Sequence, residues 1–119
     1  GDGTAVRSYT YVDDMVDGIV RLTDSELAGP VNIGNPEYVS VADLVKTVTQ
    51  AAGKTVRIKY VNGPVGVQSR NFSNERISSI GWRARYPLMD GIGRTYPWVN
   101  AQVQAQRSGP APGRPAVVG

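Results

Sequence analysis

The sequence predicts a mixed α/β fold, and three observations carry that prediction. Val41, Leu44, Val45, Val48 and Ala52 recur at i, i+3, i+4, i+7 and i+11, a helical period, between a capping Ser40 and a terminating Gly53. Residues 55–61 instead alternate, with Val56, Ile58 and Tyr60 facing one way and Arg57 and Lys59 the other, which is a strand period. In chain order the segments read turn, β, α, β, α, β, loop, α, α, so short strands and about four helices share one unit.

The elements follow in order. Gly1-Asp2-Gly3 is a turn signal, and the β-prone run through Tyr9 and Tyr11 predicts a short extended segment. Asp13 or Asp14 then caps a helix expected at about 13–23, whose Met15, Val16, Ile19 and Val20 share one face. Ala28-Gly29-Pro30 ends that unit, and residues 31–33 form a short apolar strand stopped by Gly34-Asn35-Pro36. That strand reads as one edge of a parallel sheet whose other strands lie outside the chain. The capped helix at about 41–52 comes next, with Asp43 three residues after Ser40 in the manner of a capping box. The strand at 55–61 leads into a loop from Asn62 to Gly66, and Arg70 follows that loop. Residues 74–80 predict a short helix closed by Gly81. A last helix at about 88–104 carries Pro97, which removes one backbone bond and predicts a kink or a weak first half. From Arg107 the Ser-Gly-Pro-Ala-Pro-Gly-Arg-Pro run reads as a disordered tail, which divides the chain into a globular part, 1–106, and a tail, 107–119.

Composition limits the chemistry. The chain has no cysteine and no histidine, so thiolate nucleophiles, disulfides and Ser-His-Asp triads are absent from these 119 residues. No run approaches the ~18 apolar residues of a membrane span and no signal pattern opens the chain, which points to a cytoplasmic protein. The net charge of +3 is unevenly spread. Residues 1–53 hold three basic and eight acidic residues, a balance of −5, and residues 54–119 hold ten basic and two acidic, a balance of +8. Ten of the thirteen basic residues are arginine, whose planar fork suits phosphate oxygens. A basic half points to an anionic partner, although a solvated basic face gives the same count.

Single residues admit two readings each. Arg7, after the glycine turn, can reach a phosphate bidentately, or it can pair with Asp2 or Asp13 on the surface. Arg70 in the basic half is a similar candidate. Asp13 and Asp14 read as helix caps rather than as an acid/base pair. Trp82, Tyr96 and Trp98 could stack on bases but fit core packing better. Neither a G-x-G-x-x-G nor a Tyr-x-x-x-Lys occurs in the chain.

Taken as an ordered set, Gly1-Asp2-Gly3 with Arg7-Ser8-Tyr9-Thr10-Tyr11-Val12-Asp13-Asp14, then Val31-Asn32-Ile33-Gly34, Ser40-Val41, Arg70 and Gly81-Trp82, resembles the C-terminal part of the extended short-chain dehydrogenases/reductases (SDRs). These are the NAD-dependent nucleotide-sugar epimerases and dehydratases. Gly63-Pro64-Val65-Gly66-Val67 with Arg70-Asn71, and Thr95-Tyr96 with Trp98, are more similar to the epimerases of GDP-mannose than to the UDP-sugar decarboxylases, with a UDP-glucuronate decarboxylase or a 4,6-dehydratase as the alternative. The resemblance implies that Arg7, with Ala5 and Val6 beside it, and Arg70 contact the diphosphate or sugar of a nucleotide-sugar. It implies a reaction of C4 oxidation, C3/C5 epimerisation and re-reduction. It also implies that the dinucleotide loop, the catalytic tyrosine and lysine and the acid/base residues precede Gly1, so that NAD binds outside this chain and these residues by themselves catalyse nothing. A homodimer is expected of the intact enzyme, with neither nucleic acid nor membrane as partner. The sequence departs from the family pattern at Ala5, where a glutamine is frequent, and at Ser73, where an aspartate is common. The competing reading from the +8 half is a non-catalytic basic module that binds nucleic acid.

Overall fold

A computed structural model describes residues 1–63 and 66–108. The elements are β1 (Val6–Ser8), α1 (Val12–Thr23), β2 (Tyr38–Ser40), α2 (Val41–Ala51), α3 (Glu75–Ser78) and α4 (Leu88–Ser108). This is the α/β arrangement of four helices and few short strands expected above. β1 and β2 pair antiparallel, with Val6 opposite Ser40, Arg7 opposite Val39 and Ser8 opposite Tyr38. On its other side β1 makes a parallel bridge from Val6 to Ser69. β1 is therefore the middle of three neighbouring segments.

The helices form where their ends are well specified. Ser40 Oγ accepts the Asp43 N–H at 3.0 Å and opens α2, while Gly53, at φ +60°, lets the chain leave it in the left-handed region. Gly81 does the same after α3 at φ +82°. α1 begins one residue earlier than expected and has no side-chain cap; Tyr11 stands at its N-cap in an extended conformation. The expected caps are placed otherwise: Asp13 is exposed, and Asp14 lies inside the first turn with its carboxylate turned to the segment before α4. α4 runs through Pro97 to Ser108, four residues past the expected end and into the expected tail. The missing proline N–H removes one bond from a long helix whose other turns continue on either side. The remainder of the expected tail, 109–119, lies outside the described residues.

The strands differ more. The extended segment expected around Tyr9 to Tyr11 pairs upstream, at Val6–Ser8, because that is where both neighbours reach it. β2 was not anticipated, since Tyr38–Ser40 is too short to show a period and ends on a residue that caps α2. Residues 31–33 form no strand; Ile33 packs on α1 instead, where a Cβ on Gly18 would lie 2.7 Å from Ile33 Cγ2. Residues 55–61 form no strand either, and both Val56 and Tyr60 are exposed. Alternation fixes which way side chains point, but a ladder also needs a partner.

The core is small: Ile77, Trp82 and Leu88 are buried, with Asp14 and Asn35 as buried polar members. Trp82 fulfils the packing reading, whereas Trp98 is 67% exposed and does not. Asn35 ties three parts together. Its backbone oxygen accepts from Ser8 Oγ at 2.5 Å, its N–H donates to Thr10 Oγ1 at 2.9 Å, and its amide donates to the Tyr86 carbonyl at 3.0 Å. Glu37 accepts the Leu88 N–H at 2.8 Å and so starts α4 from a distant loop.

Candidate functional site

Two arginines separated by 63 positions come onto neighbouring segments through the parallel bridge. Val6 donates its N–H to the Gln68 carbonyl at 2.9 Å, and Val6 stands opposite Ser69. Arg7 and Arg70 each follow a member of that bridge, so the two arginines stand on neighbouring segments. Arg7 is half-buried and Arg70 exposed.

The Arg7 guanidinium is held in place. Nη1 donates to the Val6 carbonyl at 2.6 Å and to that of Gln68 at 3.4 Å, and Nη2 donates to the Val67 carbonyl at 2.5 Å. Among the described residues it pairs with neither Asp2 nor Asp13, the surface partners weighed from the sequence. The fork clips β1 to the segment that delivers Arg70. Two guanidinium groups so placed can neutralise a diphosphate, each offering paired N–H bonds to phosphate oxygens.

Ala5 and Val6 occupy β1 and its approach. The Ala5 carbonyl accepts the Val41 N–H and the Gly3 carbonyl that of Ala42, both at 3.0 Å, which ties the opening turn to the start of α2. Gly3 adopts φ +79°, and a Cβ there would come within 3.0 Å of the Tyr60 ring. Asp2 Oδ1 accepts from the Thr4 N–H at 3.0 Å and from its hydroxyl at 2.8 Å, and these bonds hold the Asp2 carboxyl below its ordinary range. Gln68 Nε2 donates to the Thr4 hydroxyl at 2.8 Å.

Between these parts lies a cleft of about 320 Å³, walled by Ala5, Val41, Val45, Ile58, Tyr60 and Gln68. Its walls are largely apolar, with Asp2 and Lys59 as the charged members. The alternation of Ile58 and Tyr60 was visible in the sequence, but their membership of a cleft was not, because it depends on a turn almost 60 residues away. A second cleft of about 280 Å³, between Tyr9–Val12 and the start of α4, holds no charged side chain. Ser73, one of the departures noted above, is structural: its hydroxyl accepts the Glu75 N–H at 3.1 Å at the start of α3. Among the described residues no group of three or more Asp and Glu is disposed to hold a metal ion, and no helix is long and apolar enough to cross a membrane.

By fold and sequence the chain belongs to the extended short-chain dehydrogenases/reductases, and the relatives it matches are nucleotide-sugar epimerases and decarboxylases. It is 37% identical over 109 residues to GDP-mannose 3,5-epimerase of Arabidopsis thaliana, which covers 91% of the chain and 29% of that protein. It is 36% identical over 92 residues to UDP-glucuronic acid decarboxylase 3 of the same plant, covering 76% of the chain and 27% of that protein. UDP-glucose 4-epimerase of Thermotoga maritima, solved with UDP-glucose, superposes with a TM-score of 0.80 at 25% identity, over 87% of the chain and 34% of that structure. UDP-glucuronic acid 4-epimerase of Bacillus cereus, solved with UDP-glucuronic acid and NAD, shares the fold at a TM-score of 0.78 and 23% identity, over 86% of the chain and 34% of that structure. No protein-family profile matches the chain. The chain thus spans under a third of the length of the curated relatives it matches. It contains neither a G-x-G-x-x-G loop nor a Tyr-x-x-x-Lys pair.

Proposed function

We propose that this chain is the nucleotide-sugar-binding portion of an NAD-dependent nucleotide-sugar epimerase, with GDP-mannose as substrate. In this reading the binding portion expected at 1–106 continues to the end of α4 at Ser108. Arg7 and Arg70 hold the diphosphate, with Ala5 and Val6 along its flank. The apolar cleft beside Ala5 receives the planar base, whose faces suit Val41, Val45 and the Tyr60 ring. The observation that carries the reading is the bridge between Val6 and Ser69, which brings two arginines 63 positions apart onto neighbouring segments. Arg7 arrives pre-ordered by three carbonyls, so little side-chain entropy remains to be lost when an anion binds. The residues that exchange protons and hydride with the sugar lie outside this chain. The cytoplasmic setting and the homodimer of the intact enzyme belong to the same reading.

Isothermal titration of the chain with GDP-mannose and with UDP-glucuronate tests it. GDP-mannose binds more tightly than UDP-glucuronate. A charge-assisted hydrogen bond contributes about 1.5–3 kcal/mol, so Arg7→Ala and Arg70→Ala each weaken binding by roughly 10-fold to 100-fold. Unchanged affinity in both variants sinks the reading. Tighter binding of UDP-glucuronate moves the assignment to the decarboxylases or dehydratases. Binding of mixed-sequence single-stranded DNA, with affinity falling steeply as salt rises, returns it to a basic module.

A further inference from the structure

Beyond Arg70, the segment that carries it is anchored by residues 32–38. Asn32 Nδ2 donates to the Ser73 carbonyl at 3.3 Å, Asn74 Nδ2 donates to the Gly34 carbonyl at 2.6 Å, and the Phe72 N–H donates to the Tyr38 hydroxyl at 3.2 Å. The Phe72 ring fills the space where a Cβ on Gly34 would stand, and it lies 5.6 Å from the Tyr38 ring at an interplanar angle of 50°. Of these anchors only Tyr38 belongs to a strand paired with β1, where it stands opposite Ser8, the residue after Arg7. Its backbone therefore registers one arginine, and its hydroxyl holds the chain two residues beyond the other.

We propose that Tyr38 is a positioning residue for diphosphate recognition: strand pairing fixes it to Arg7, its phenol oxygen fixes the backbone after Arg70, and the two together set the spacing of the guanidinium forks. This rests on the diphosphate reading of Arg7 and Arg70. No local pattern in the sequence singles out Tyr38. The ring and the hydroxyl have separable roles. The ring packs on Phe72 and supports the fold, whereas the hydroxyl supplies one acceptor to one backbone N–H on the Arg70 segment.

Tyr38→Phe separates them. GDP is the probe, titrated calorimetrically into the wild-type chain, Y38F, R7A, R70A and the double variant Y38F/R70A, with thermal unfolding of each. Y38F weakens GDP binding about fivefold to tenfold, the equivalent of one net hydrogen bond, and leaves the melting temperature close to that of the wild type. In the R70A background the same substitution changes affinity little, because the group it orients is gone. The Phe72 amide proton exchanges faster in Y38F. Wild-type affinity in Y38F, an equal loss with and without Arg70, or an unchanged Phe72 exchange rate overturns the role of Tyr38 while leaving the diphosphate reading intact. Wild-type GDP affinity in both R7A and R70A overturns the diphosphate reading itself.

Discussion

Asp14 is a fully buried carboxylate, which is costly unless its oxygens are occupied. Oδ2 accepts the backbone N–H groups of Arg85 at 2.9 Å and Tyr86 at 3.0 Å, Oδ1 lies 3.4 Å from Arg85 Nε, and the Asp14 carbonyl accepts Trp82 Nε1 at 3.0 Å. One residue of α1 thus orients the whole approach to α4. Asp14→Ala strands two backbone donors and costs on the order of 3 kcal/mol in urea denaturation. Asp14→Asn keeps an acceptor oxygen and loses clearly less; equal losses would mean that volume rather than hydrogen bonding sets the effect. The sequence marked this position as a helix-start aspartate, but its partners are about 70 residues away, and capping is the role that local spacing can see. The same contrast holds at the candidate site. Arg7 and Arg70 were legible as cations in a familiar order, while the carbonyls of Val67 and Gln68 that hold Arg7 carry no side-chain signal at all.

At the scale of elements, legibility followed how local the stabilising contacts are. α2 was readable end to end because Ser40, Asp43 and Gly53 all act within one turn of it. Ser40→Ala removes the acceptor for the Asp43 N–H and lowers stability by about 1 kcal/mol. Lys46 Nζ donates to Asp43 Oδ1 at 2.7 Å, and the Ser40 hydroxyl donates to Oδ2 at 2.6 Å. These bonds, that of Lys46 first, hold the Asp43 carboxyl below its ordinary value of 3.8 and raise the Lys46 ammonium above 10.5. A lowered carboxyl contributes stability above its unfolded value that is lost as pH falls through the folded one. A raised ammonium contributes stability below its unfolded value that is lost as pH rises through the folded one. The pair therefore supports α2 between about pH 4 and pH 10 and fails outside that window. Both groups are exposed, so salt weakens the effect. Melting curves from pH 2 to pH 7 should show a shallower acid limb in Asp43→Asn than in the wild type; parallel limbs would remove Asp43 from the account. The strands were less legible because their partners are remote: β1 is defined by Tyr38–Ser40 on one side and Ser69 on the other, and neither distance is written in the alternation of residues.

At the scale of the whole molecule, the chain has more apolar surface than it gathers into a core. Its Cα radius of gyration is 19.1 Å, against about 13.5 Å for a compact domain of this length. Val12, Val16, Ile19 and Val20 recur at i, i+4, i+7 and i+8 along α1 and are each at least half exposed. The period that identified the helix from sequence is real, but its apolar face does not point into the small core of Ile77, Trp82 and Leu88. Periodicity reveals that a face exists, not what covers it. The two kinds of apolar residue should therefore respond differently to substitution in this chain. Ile77 is 0% exposed, and Ile77→Ala removes buried methyl groups from a close-packed site, a loss of about 2–5 kcal/mol. Ile19 is 52% exposed, and Ile19→Ser changes helix propensity little, so it costs less than about 1 kcal/mol. Urea unfolding of both variants gives the comparison directly, with an unchanged m-value in Ile19→Ser as the sign that the folded surface is the same. If Ile19→Ser proves as damaging as Ile77→Ala, the α1 stripe is covered in solution, and the surface described above is not the one the protein presents.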